Sequence, residues 1–134
     1  MQPIIPVTTA FFAALLGFLG ALLTTNVIAN RVRTKVNAGD GSVPGLAQAI
    51  RAHANSVEQA PLALLVIGAA ESFGARILFI EILGWALIAT RLASAYALNR
   101  SLGQSPLRQF GGGVSVLILI AASALALLAY YRVS

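Results

Sequence analysis

The sequence predicts an all-α integral membrane protein: a bundle of four transmembrane helices running up and down. Three observations carry this expectation. Of 134 residues, 58% are hydrophobic and only 10% are charged, against roughly 25% in soluble domains. A chain this short cannot build a water-facing shell from so few charges. Its apolar residues fall into four stretches, at about 7–29, 46–72, 77–98 and 107–131, each near the ~20 residues that cross a bilayer. The segments between them are short and rich in turn formers, so consecutive helices should be antiparallel neighbours in a single domain spanning 1–134.

The elements follow in order. The first stretch holds no charge, lacks the basic flank of a signal peptide and is too long for one, so it is expected to persist as a helix. The longest polar segment follows, with Asn37, Gly39, Asp40, Gly41 and Pro44 as turn residues. The second stretch carries polar residues at helical spacing. It ends at Phe73-Gly74, and the third ends at a short polar segment from Asn99 to Pro106. The chain has 12 glycines; Gly17, Gly20 and Ala21 on the first span, with Gly84 and Ala86 on the third, suit close helix approach and assembly.

Composition also excludes several functions. The absence of cysteine removes disulfides and thiolate chemistry, and one histidine argues against a metal centre. The net charge of +5 is dispersed, which reads as topology plus a binding site and not as a nucleic-acid surface. Arg31, Arg33 and Lys35 precede the second span, and Arg100 and Arg108 lie between the third and fourth. Only Arg76 and Arg132 fall on the other side. That asymmetry predicts cytoplasmic first and third loops and both termini on the non-cytoplasmic side.

The chemistry should lie with the polar residues inside the spans. Arg51, Asn55 and Glu58 are spaced four and three apart, which at about 100° per residue places them on one stripe of the second helix. Arg91 on the third helix falls at a similar depth to Glu58. A charge at the bilayer centre costs roughly 2.5–3.5 kcal/mol on the insertion scale, so Glu58 is expected to pair with Arg91 or Arg51. The surplus of arginines at this end suggests an anionic ligand, since guanidinium grips carboxylates and phosphates in a bidentate manner. Pro61 removes an N–H about one turn further on and should loosen the helix there.

The segment Ile50-Arg-Ala-His-Ala-Asn-Ser-Val-Glu-Gln-Ala-Pro61 resembles the signature of the MAPEG family, the membrane-associated proteins in eicosanoid and glutathione metabolism. The matching residues are Arg51, Ala52, Asn55, Glu58 and Pro61. The surrounding context, including Glu71 closing the helix, is more similar to a bacterial branch than to the eicosanoid enzymes. The resemblance implies a homotrimer in a bacterial inner membrane, with glutathione between adjacent subunits near the cytoplasmic face. It further implies that Arg31, Arg51, Asn55 and Glu58 contribute to the glutathione site, with Glu58 facing the amino group and His53 facing the neighbouring site of the trimer; Arg91 joins them from the charge argument above. Arg108 looks like the family arginine that stabilises the thiolate, because a nearby cation lowers a thiol pKa. The tyrosine or histidine of the eicosanoid enzymes falls here on Ser94 and Leu98, and of the two only Ser94 could donate to sulfur.

These implications describe a glutathione transferase or peroxidase acting on hydrophobic electrophiles or lipid peroxides. The alternative is a non-catalytic membrane protein binding an anionic lipid or metabolite in the same pocket. A small four-span multidrug transporter would need a membrane-embedded acid in the first helix, and 7–29 contains none.

Overall fold

In the computed structural model, residues 5–100 and 106–134 are described, with the backbone alone for 106–111. Four α-helices follow one another: α1 (Val7–Thr34), α2 (Pro44–Ser72), α3 (Ile77–Arg100) and α4 (Pro106–Val133). Three of them, α1, α3 and the described part of α4, are long and apolar enough to cross a membrane. α2 is of similar length, at 29 residues, but the stripe of Arg51, Asn55 and Glu58 dilutes its hydropathy. It nevertheless runs from the end where α1 and α3 stop to the end where α3 begins. Asn26 of α1 bonds Asn99 of α3 at one end, and Glu71 of α2 meets Thr9 of α1 at the other.

α2 lies between its neighbours because its inner face is small. Ala49, Ala52, Ser56, Ala60, Ala63 and Ala70 are all buried, and these short side chains let α1, α3 and α4 all pack against it. Among the described residues, α1 and α4 do not meet. Leu16, Ile67, Ile80, Leu87 and Ile118 fill the space around the alanines. Outward, Phe18, Leu22, Leu65 and Leu117 are all largely exposed, the inverse of a water-soluble surface and the natural one for lipid. Gly84 of α3 lies directly against Phe12 of α1. A Cβ there would lie 2.3 Å from the Phe12 ring, which also stands edge-on to Trp85 at 5.4 Å. Gly17 and Gly20, by contrast, have nothing within 4 Å of a Cβ among the described residues.

The ends of the helices are closed by specific bonds. α1 has no local side-chain cap. Instead the buried Glu71 carboxylate accepts from the backbone N–H of Thr8 at 2.8 Å and of Thr9 at 2.7 Å, and from the Thr9 hydroxyl at 2.6 Å. An acid from the far end of α2 thus satisfies amides that the first turn of any helix leaves unpaired, and it complements the helix dipole. At the other end of α1, Lys35 adopts the left-handed conformation and donates its N–H to the Arg31 carbonyl. Loop one then turns through Gly39 and Gly41, both at positive φ, and Pro44 begins α2 at a position where a missing N–H costs nothing. α2 ends in a turn at Gly74, where Gly74 and Ala75 donate to the Glu71 and Ala70 carbonyls.

Candidate functional site

The site is built on the first half of α2. With the alanine face turned inward, Arg51, Asn55 and Glu58 fall roughly 90–160° away around the helix, Asn55 nearest the buried face and Glu58 furthest from it. Arg51 and Glu58 are exposed and Asn55 is half-buried. Glu58 is the middle residue of the 29-residue helix, so this charge sits halfway along an outward-facing side of the bundle. Among the described residues, none of the three side chains makes a hydrogen bond or ion pair. Pro61 is accommodated without ending α2.

The expected ion pairs do not form among the described residues. Arg91 is 1% exposed and points into the bundle, where its Nη1 donates to the main-chain carbonyl of Asn55 at 3.1 Å and its Nη2 donates to the Ser115 hydroxyl of α4. Glu58 and Arg91 are matched in depth but not in direction, since one looks outward and the other inward. Arg91 therefore joins α2, α3 and α4. Among the described residues, its Nε and the buried Gln59 Oε1 have no hydrogen-bond partner.

The other candidate residues occupy different settings. Ser94 is buried at 3% exposure on the inner face of α3, and Leu98 packs with Leu23, Ala52 and Ala95. Arg31 is half-buried and donates to the carbonyls of Val36 and Gly39, at 3.2 and 3.0 Å, bracing loop one. His53 is half-buried and lies about 200° around α2 from Arg51, away from the stripe. The Arg108 side chain lies outside the described residues.

One polar cluster was not anticipated from the sequence. Asn26, Asn30, Arg33, Gln48 and Asn99 line a cavity of about 420 Å³ where α1 and α3 end. Arg33 donates to Asn30 at 2.9 Å, and Asn26 donates to Asn99 at 3.1 Å. The available signal was Asn26 and Asn30, one turn apart, together with the polar tail of the third span. Among the described residues, no three His, Cys, Asp or Glu side chains gather as a metal site requires.

The MAPEG family model matches residues 9–128, nearly the whole bundle. The chain belongs to the MAPEG family. It is also similar to a protein named "Inner membrane protein YecN" in two strains of Escherichia coli, K12 and O6:H1 (CFT073). In each case 33% of residues are identical over 94 residues, covering 70% of this chain and 72% of the relative. The chain is thus an integral membrane protein of a helical family, related to an inner-membrane protein. Arg51, Asn55 and Glu58 lie inside the matched region.

Proposed function

We propose that this MAPEG protein binds glutathione on the α2 stripe and presents it to hydrophobic electrophiles or lipid peroxides, as a glutathione transferase or peroxidase. The observation that carries this reading is the stripe itself. An exposed guanidinium and carboxylate flank a half-buried carboxamide, and an unpaired charge at membrane depth costs roughly 2.5–3.5 kcal/mol or more. A zwitterionic tripeptide with two carboxylates and one ammonium matches them: Arg51 for a carboxylate, Asn55 for either polarity and Glu58 for the ammonium. Bound glutathione would supply the thiol nucleophile. Arg108 at the start of α4 is the residue assigned to hold it as thiolate; Ser94, the donor to sulfur that the sequence offered, is buried inside the bundle and does not join the outward stripe. Arg31 and His53 are assigned to the same site from the last turn of α1 and from a neighbouring subunit.

Covering the stripe requires a second surface, which supports a homotrimer with the site between subunits. The open glycines Gly17 and Gly20 on α1 suit such close contact. Arg91 contributes by holding the Asn55 backbone. In this arrangement α2 is the fourth membrane span, loops one and three face the cytoplasm, and both termini lie on the non-cytoplasmic side of a bacterial inner membrane.

A second reading, non-catalytic binding of an anionic lipid or metabolite in the same pocket, is favoured by one observation. Ser94 and Leu98 are turned into the bundle where the eicosanoid enzymes of the family place tyrosine or histidine. Ultraviolet absorbance of the glutathione thiolate separates the two readings. The enzyme reading predicts a thiolate signal that is lost in Arg108→Ala, with parallel loss of conjugation to a hydrophobic aryl halide. Binding with no thiolate signal would favour the second reading.

A further inference from the structure

The opposite end of the bundle carries an apolar groove. This groove of about 640 Å³ runs along the seam of α3 and α4, lined by Ile82, Leu83, Ala121, Ala124, Leu125 and Leu128. Its α4 side recurs at helical spacing from Ala121 to Arg132, roughly 16 Å of helix, enough for about a dozen methylenes of an extended acyl chain. The alanines keep the seam from closing. The walls are apolar and exposed: Ile82 is 55% and Leu128 61% accessible.

Arg76 and Arg132 lie at the mouth of this groove. They are the two basic residues that the sequence places at this end of the bundle, the end that positive-inside patterning would leave without them, and both line the same groove. Arg76 also precedes α3, whose first amides carry the positive end of the helix dipole, and its guanidinium sits 6.0 Å from the Phe79 ring centroid. Phe73 of the α2–α3 turn stacks edge-on with Tyr130 of α4 at 5.7 Å, and Tyr130 in turn with Tyr131. Such an aromatic belt marks headgroup depth. Neither acid at this end offsets the arginines within the groove. Glu71 is engaged by Thr8 and Thr9, and Glu81 does not line the cavity.

Two guanidiniums at headgroup level above an apolar groove of acyl-chain length have one natural complement. We infer that the α3–α4 groove binds an anionic phospholipid, with its phosphate held by Arg76 and Arg132 and one acyl chain lying along Ile82, Ala124 and Leu128. This site is independent of the α2 stripe and stands whether or not glutathione binds there.

Native mass spectrometry of the intact oligomer tests it, after equilibration in micelles containing equimolar phosphatidylglycerol and phosphatidylcholine of identical chains. The wild-type protein should retain phosphatidylglycerol several-fold over phosphatidylcholine. Arg76→Gln/Arg132→Gln should lose that preference at an unchanged subunit count. Ala124→Leu, which fills the groove and leaves both arginines in place, should lose bound lipid of both kinds. Equal retention of the two lipids by the wild-type protein, or a preference that persists in the double variant, would overturn the inference. A changed subunit count in the double variant would overturn it too, by assigning the groove to a neighbouring copy of the chain.

Discussion

Arg91 of α3 donates a hydrogen bond to the main-chain carbonyl of Asn55 on α2, 3.1 Å away, while its other terminal nitrogen reaches Ser115 on α4. A single buried guanidinium therefore joins three helices and fixes the backbone from which the outward polar stripe projects. Hydrogen bonds to charged groups contribute about 1.5–3 kcal/mol each, and truncation would also leave a cavity. Arg91→Ala is expected to lower stability by roughly 2–4 kcal/mol, read as an earlier thermal unfolding midpoint in detergent. Arg91→Met should cost less, because a well-packed apolar side chain avoids burying a charge. Equal stability of Arg91→Ala and wild type would contradict the joint.

Glu71 ties the start of α1 to the end of α2. Glu71→Gln retains an acceptor but loses the charge facing the α1 N-terminus, and an amide cannot accept from all three donors equally well. The expected loss is about 1–2 kcal/mol, concentrated locally. Hydrogen exchange should quicken at Thr8 and Thr9 while the amides of Leu87 and Ile118 remain protected. Uniform acceleration across all four helices would argue against a local cap.

Gly84 and Phe12 form a size-matched pair. Gly84→Val places new atoms against the Phe12 ring and should destabilise by about 1–3 kcal/mol. Phe12→Leu in the same chain should recover part of that loss, giving a coupling that a double-mutant cycle can measure. Strict additivity of the two changes would show that the ring is not the obstacle.

Loop one needs flexible backbone at Gly41. Its φ is +57°, and a Cβ would lie 2.7 Å from Val36 Cγ2. Gly41→Ala combines left-handed strain with that clash and should cost roughly 1–2 kcal/mol. The change should loosen the loop that Arg31 braces, seen as faster proteolysis between α1 and α2. Gly39→Ala, with the same φ sign but open space around its Cβ, should be milder.

The helices were legible in the sequence because apolar runs, Pro44 and the Phe73-Gly74 turn mark them directly, and the stripe was legible because helical spacing fixes Arg51, Asn55 and Glu58 on one face. What the sequence could not give was the rotation of one helix against another. Counting residues placed Glu58 and Arg91 at one depth and suggested an ion pair, yet depth carries no azimuth. α2 turns its alanines inward, which sends Glu58 outward, while α3 buries Arg91. Ser115 was invisible as a partner because a lone serine in an apolar helix carries no signal of its own. Glu71 could be read as closing α2, but its bond to Thr9, 62 positions earlier, depends on tertiary packing. The amide cavity around Asn26 and Asn99 was missed for the same reason, since its members come from three helices.

The central claim is that Arg51 and Glu58 hold glutathione on the outer face of α2. Calorimetric titration of glutathione into detergent-purified oligomer tests it most directly, with Arg51→Ala and Glu58→Ala beside the wild type. Saturable binding by the wild type, weakened at least tenfold in each variant (about 1.4 kcal/mol) at an unchanged subunit count, is the predicted result. Wild-type affinity in both variants, or no binding by the wild type at millimolar glutathione, would contradict it.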